Sequence, residues 1–259
     1  MNFAYYAGRL GAESYPVSAV GNDSLGAETL ECCKGFGLDT RFIRSNYLPT
    51  SRVLVKLDSS GVPQYEILEG VAWDALEASE DVLSALSRAD AICWGSLAGR
   101  SEESFKAISA MIDAAPGRCM KVFDINLRQH YYSKDKIGHS LEAASALKLN
   151  EDELPVLVRL FGLSVNPQDA LKEIALRWNL DYVIYTCGAS FSEIHDAAGL
   201  ISHIDTPKVN VVDTVGAGDS FTAAFITSVL MGAQVSKAHE EAVALAAKVC
   251  SSSGAIVEI

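Results

Sequence analysis

Asp213, Gly216, Ala217, Gly218 and Asp219 lie together in the stretch 209–221, VNVVDTVGAGDSF. VNVV reads as a strand and FTAAFITSVLMG (221–232) as a helix with a nearly continuous apolar face. Gly216-Ala217-Gly218 is therefore the turn at a helix N-terminus, where unpaired amides and the helix dipole favour an anion. Glycine also lets the backbone come close to a phosphate. Asp219 falls in the first helical turn, either as a cap or as a catalytic carboxylate beside the anion. Two other glycine loops are excluded. A dinucleotide fingerprint would need glycine where Phe221 stands and more chain after it, and a Walker A loop would need a Gly-Lys-Ser/Thr that the sequence lacks.

The elements that must position this turn alternate along the chain. YPVSAV (15–20) reads as a strand and SLGAETLECCKGFG (24–37) as a helix closed by glycine. SRVLVKLDSSGVPQYEIL (51–68) holds two alternating runs around Ser-Ser-Gly, the pattern of a β-hairpin. From Asp74 to Ser87 the spacing of Leu76, Val82, Leu83 and Leu86 predicts a helix with Asp74 as its N-cap. Strands are then expected at 90–96, 121–126, 146–150 and 181–188, and helices at 101–115, 133–144, 151–161 and 168–178. Such alternation implies an α/β fold, a mostly parallel sheet covered by helices on both faces. Ligands of such sheets sit beyond the carboxyl ends of the strands. Asn126 with Arg128, Asn150, and Thr186 through Gly188 all fall at such ends.

Composition bounds the function. A chain of 259 residues, 49% of them hydrophobic, holds a sizeable core and is neither disordered nor fibrous. A formal net charge of −12 argues against a nucleic-acid partner, whose footprint is a basic stripe. It leaves open a small phosphorylated ligand, because a local nest of amides binds anions on an acidic protein. The six cysteines form no C-x-x-C pair and the five histidines no cluster, so reduced buried thiols are expected and a zinc site is not. No apolar run reaches membrane-spanning length and the N-terminus has no signal-peptide pattern, so a cytoplasmic protein without a membrane partner is the default.

DTVGAGDSF resembles the C-terminal D-T-x-G-A-G-D signature of the PfkB carbohydrate kinases. The similarity runs over nearly the whole chain, and FDINLR (123–128), LNEDE (149–153) and the hairpin followed by AWD (72–74) look most like fructokinase-type members. The resemblance implies a ribokinase-like three-layer sandwich with a small β lid, one kinase domain over 1–259 with the hairpin 51–68 as the remaining lid. It implies that Asp219 is the general base toward a sugar hydroxyl, with the amides of Gly216, Ala217 and Gly218 holding the transferred phosphoryl group of ATP. Phosphoryl transfer needs positioning and charge stabilisation more than covalent help, which agrees. Asn150 and Glu153 match the N-x-x-E motif that organises Mg²⁺, although Asn-x-x-Glu is equally a capping box. Thr186 and Gly188 resemble the strand-end T-x-G beside the nucleotide, and Ser253 and Gly254, in CSSSGA, the loop over the adenine. Asp213 and Thr214 are candidates for a monovalent-cation (K⁺) site. Asn126 and Arg128 are candidate substrate or phosphate contacts, Arg128 equally a surface arginine.

The same resemblance leads one to expect an earlier strand with a sugar-binding aspartate and a Gly-Gly-x-x-x-Asn motif, of which Asn2 matches the last residue and is a candidate substrate contact. The sugar is therefore open: fructose, 2-keto-3-deoxygluconate or a nucleoside. So is a non-catalytic relative that only binds nucleotide, and a homodimer formed through the lid is a further expectation.

Overall fold

The computed structural model describes residues 1–57 and 63–259. In chain order its elements are α1 (Asn2–Arg9), β1 (Ser18–Gly21), α2 (Ser24–Gly35), β2 (Ile43–Asn46), β3 (Val53–Leu57), β4 (Pro63–Ile67), α3 (Glu80–Leu86), β5 (Ala91–Trp94), α4 (Glu102–Ala114) and β6 (Met120–Asp124). There follow α5 (Lys134–Ala143), β7 (Ala146–Asn150), α6 (Leu154–Phe161), α7 (Pro167–Arg177), β8 (Tyr182–Cys187), β9 (Phe191–Asp196), β10 (Gly199–Asp205), α8 (Ala217–Leu230) and α9 (Val235–Cys250). Starts are set by local chemistry. Asp23, Ser101, Ser133 and Asn166 each accept a first-turn N–H, which satisfies donors the helix itself cannot pair.

Six strands form one sheet in the order β10-β9-β8-β7-β6-β5. β5 to β8 run parallel, while β9 and β10 are antiparallel additions at one edge. Alternate residues of the parallel strands enter two separate cores. Phe123, Leu147 and Val183 face a cluster built with α3, α4, α5, α6 and α7. Val122, Ala146 and Ile184 face the other, built with α1, α2, α8 and α9. A strand buried on both faces must be apolar at every position, which is why ALKLN is nearly so and why its lysine matters below. The result is a three-layer α/β sandwich. β1 and β2 pair in parallel as a separate two-stranded sheet, and β3 and β4 make the expected antiparallel hairpin. Its Ser59-Ser60-Gly61 turn lies outside the described residues.

Three expectations need correction. Asp74 is not the N-cap of a helix over 74–87: residues Ala72–Asp74 form a single 3₁₀ turn and α3 begins only at Glu80. The Asp74 carboxylate is buried instead against Arg100, with both of its oxygens 2.7 Å from the guanidinium. VNVV is not a strand. Its valines 209, 211 and 212 are exposed, in a segment that leads from β10 to the glycine turn. The sheet is also longer than expected, since β9 and β10 carry polar residues that disguise them.

Arg100 anchors the base of the β3–β4 hairpin. Its guanidinium lies 4.0 Å over Trp73 and 4.7 Å from the centre of Tyr131, and it donates to the Leu68 carbonyl just past β4. Removing one partner of a buried ion pair strands the other charge, at about 3–5 kcal/mol. Arg100→Met is therefore expected to lower unfolding free energy by about 3 kcal/mol in urea titrations. A loss under about 1 kcal/mol would show that the pair is not a structural anchor.

β9 hides its polar groups by pairing them. Glu193 accepts from Gln168 and lies 2.9 Å from both His195 and His203, while His239 sits 2.8 Å from Ser192 and Ser202. Burial pushes His239 down to about 4 from 6.5, helped by nearby His203 and opposed by Glu193. Between those two pH values the unfolded chain binds a proton that the folded chain refuses, so stability is full above pH 6.5 and falls as pH drops toward 4. The ceiling is about 3 kcal/mol. Urea midpoints at pH 7 and pH 4.5 should differ less in His239→Gln than in the parent; equal differences would remove His239 as the cause.

Candidate active site

The carboxyl ends of β6 and β7 reach the start of α8, through Asp124 and Lys148. Gly216 is the N-cap of that helix, at φ 84°, ψ −9°, and Asp219 lies in its first turn. The Ala217 N–H reaches back to the Thr214 carbonyl at 3.3 Å. Among the described residues the N–H groups of Gly216, Gly218 and Asp219 have no acceptor. Those three amides, rather than the Ala217 amide, are the free donors that a helix start offers an anion.

Asp219 is held from the opposite end of the chain. The Asn2 side-chain amide, at the start of α1, donates to Asp219 Oδ2 at 2.8 Å. Nearby, the Tyr6 hydroxyl of α1 donates to the Ala255 carbonyl at 2.9 Å and accepts from Val257 N–H. α1 thus fixes both the carboxylate and the C-terminal loop. That loop is tied to the turn a second time: Asp213 accepts Val215 N–H at Oδ1 and Gly254 N–H at Oδ2. These two backbone bonds hold the Asp213 carboxyl below its ordinary range. Asp213 and Gly254 are therefore neighbours, while Ser253 and Thr214 are exposed.

Asn150 and Glu153 realise the capping-box geometry. Asn150 Oδ1 accepts Asp152 and Glu153 N–H groups, and Glu153 Oε2 accepts Asn150 N–H at 2.9 Å. Glu153 Oε1 accepts Leu127 N–H at 2.9 Å, so this buried carboxylate also fixes the loop after β6. Each Glu153 oxygen keeps a lone pair free, whereas Asn150 Oδ1 already accepts two N–H groups. One carboxylate and one amide oxygen are a sparse donor set, and among the described residues no group of three acidic, His or Cys side chains could hold a metal. Mg²⁺ fits such a set when waters and phosphate oxygens supply most of its ligands.

Thr186 stands opposite Asn150 in the β7–β8 register, and Gly188 turns the chain after β8 at φ 45°. Asn126 follows β6 with φ 41°, an uncommon conformation for a non-glycine residue and one that Asn tolerates. Arg128 is not brought in: it is exposed and its guanidinium donates to the adjacent Leu127 carbonyl.

The sequence reading passes over three residues at the centre. Lys148, on β7, and Asp124, at the end of β6, are both buried, with Lys148 Nζ 3.3 Å from Asp124 Oδ1. Thr222 Oγ1 lies 3.3 Å from Asp124 Oδ2 and donates to the Gly218 carbonyl at 2.9 Å. Burial raises Asp124 to about 6 against the pull of Lys148. Burial alone would lower Lys148, but Asp124, Glu153 and Asp219 outweigh it and raise it. A charged residue inside each of two apolar strands was the available signal.

A carboxylate in the first turn of a helix whose start has free amides, at the carboxyl edge of a parallel sheet, has the parts that phosphoryl transfer uses. The model of the pfkB family carbohydrate kinases matches residues 1–259. An ATP-dependent 6-phosphofructokinase of Thermoanaerobacterium thermosaccharolyticum is 27% identical over 265 aligned positions, covering 100% of this chain and 80% of that protein. A fructokinase of Escherichia coli is 26% identical over 246, covering 87% and 74%. A ribokinase II of E. coli, solved with ATP and Mg²⁺, superposes with a TM-score of 0.83 at 22% identity, covering 98% of this chain and 82% of that one. The chain belongs to the pfkB family of carbohydrate kinases, and its fold is ribokinase-like.

Proposed function

We propose that this protein transfers the γ-phosphoryl group of ATP to a hydroxyl of a ketose, as a fructokinase-like enzyme, with Asp219 as general base. The observation that carries the reading is Asp219 itself, oriented by Asn2 at one oxygen and placed beside the free amides of Gly216 and Gly218. The held oxygen leaves Oδ1 for the substrate hydroxyl. As that hydroxyl attacks, its proton passes to the carboxylate, and the amides meet the charge that moves with the phosphoryl group. Mg²⁺, when bound, would supply charge neutralisation for the phosphates, and Asn150 and Glu153 would hold it through waters.

Thr186, Gly188, Ser253 and Gly254 border the nucleotide in this reading, and Asp213 with Thr214 a monovalent cation such as K⁺. Asn126 faces the sugar from the β6 end. Arg128 has its support in sequence position alone. The chain acts as one domain, with the hairpin over 51–68 as a lid that excludes water during transfer. Val53, Leu54, Val55 and Tyr65 leave apolar surface exposed on it, which supports pairing with a second copy. Six free cysteines support a reducing, cytoplasmic setting, and among the described residues no helix is long and apolar enough to cross a membrane.

The deciding experiment is an ADP-release assay over fructose, fructose 6-phosphate, 2-keto-3-deoxygluconate and a nucleoside. Fructose should give the highest kcat/KM. Preference for another of the four would reassign the sugar, and no sugar-dependent ADP release would sink the kinase reading.

A further inference from the structure

We propose that Lys148 is a positioning residue for phosphoryl transfer, a fixed buried cation beneath the glycine turn that supports the first turn of α8 and favours negative charge above it. This rests on the kinase reading and names the part of the site that the free amides do not supply.

Its placement carries the inference. A Cβ built on Gly218 would come within 3.2 Å of Lys148 Nζ, so the ammonium lies directly against the turn. The lysine side chain is 9% exposed, with its stem inside the sheet. The Ile125 N–H donates to the Lys148 carbonyl, which fixes that stretch of β7 against the end of β6. Thr222 then joins the pair to the helix, bridging the Asp124 carboxylate and the Gly218 carbonyl.

The pairing with Asp124 is incomplete. Asp124 Oδ1 lies 3.3 Å from the ammonium, long for a charge-assisted hydrogen bond, and has no other donor among the described residues. A pair built only for stability would be expected to satisfy its oxygens, because a buried unsatisfied polar atom is costly. Here the ammonium lies beside Gly218 as well as beside its carboxylate. Three carboxylates, Asp124, Glu153 and Asp219, act on the same ammonium. Without that cation no protein side chain beneath the turn would offset those carboxylates toward a bound triphosphate.

The competing account is an ordinary structural ion pair. The double variant Asp124→Asn/Lys148→Met separates the two, because it removes both charges together and leaves neither stranded. Binding of ADP and of the non-hydrolysable analogue AMP-PNP is followed by calorimetry, with melting temperature as the control for folding. The expected result is a folded double variant that binds ADP like the parent but AMP-PNP about tenfold more weakly. Sugar kcat should fall by about 10- to 100-fold with little change in sugar KM.

AMP-PNP affinity equal to the parent's would overturn the proposal and leave a structural pair. Should the double variant unfold, the folded single variants Asp124→Asn and Lys148→Met are compared: AMP-PNP affinity lost only where the ammonium is lost supports the cation, and equal AMP-PNP affinity in the two overturns it. A parent protein that binds neither nucleotide fails differently. That result sinks the kinase reading and this proposal with it.

Discussion

Asp219→Asn is expected to lower kcat by at least about a hundredfold, the scale of a lost general base. The substitution is nearly isosteric and α8 keeps its first turn, so the fold should hold. Nucleotide affinity should change little, because the free amides of Gly216 and Gly218 stay where they are. The Asn2 contact makes the prediction sharper. Asn2 donates to Asp219 Oδ2, and an asparagine there can still accept from it through its amide oxygen. Orientation survives, then, while the ability to take up a proton does not. Steady-state kinetics on the best sugar, with calorimetry for ATP, test this directly. Near-normal turnover would show that the carboxylate is a helix cap and that the base lies elsewhere.

Much of this site is legible in the sequence because its chemistry is local. Asp213 to Asp219 form one turn and one helix start, so spacing places the free amides within a residue, although the Ala217 amide goes to the Thr214 carbonyl and the Asp219 amide is left open in its stead. Asn150 and Glu153 are three apart, so their reciprocal bonds follow from helix geometry. The parallel strands are legible for a related reason: burial on both faces demands unbroken apolar runs, and KVFDIN and ALKLN nearly supply them.

What the sequence conceals is long-range. Asn2 and Asp219 meet across 217 positions, and Asp124 and Thr222 across 98; no spacing rule reaches so far. Asp74 fits the pattern of an N-cap, but tertiary pairing with Arg100 takes its carboxylate away. The β9 sequence FSEIHD buries a serine, a glutamate and a histidine, which only partners from α7, α9 and β10 make tolerable. VNVV errs in the other direction. It has the composition of a strand, but the Val212 and Asp213 N–H groups go to the Cys250 carbonyl and not to the sheet. The stretch that became α9 goes unassigned, although Ala238, Ala242, Leu245 and Val249 already recur at helical spacing.

The glycine turn separates two substitutions that sequence treats alike. At Gly216, φ is +84°, and a Cβ would lie 2.6 Å from the Ala255 carbonyl oxygen and 3.0 Å from Ala255 Cα. Both obstacles are backbone, and the carbonyl is already held by Tyr6, so neither can yield cheaply. At Gly218 the φ is ordinary for a side chain, and the nearest atom is the flexible end of Lys148 at 3.2 Å. Gly216→Val therefore carries both left-handed strain, of order 1–3 kcal/mol, and a clash with the C-terminal loop. Relief requires the turn to open, which misdirects the amides and breaks the Asp213–Gly254 tie. ATP binding should weaken by at least about thirtyfold, the equivalent of about 2 kcal/mol. Gly218→Val should weaken it less, because it shifts one ammonium by a few tenths of an ångström and asks nothing of the backbone. Calorimetric titration of both variants, with thermal melts to confirm folding, reads the order. If Gly218→Val is the more damaging of two folded proteins, the phosphates approach the turn through Gly218 more closely than through Gly216, and the geometry argued for the N-cap is wrong.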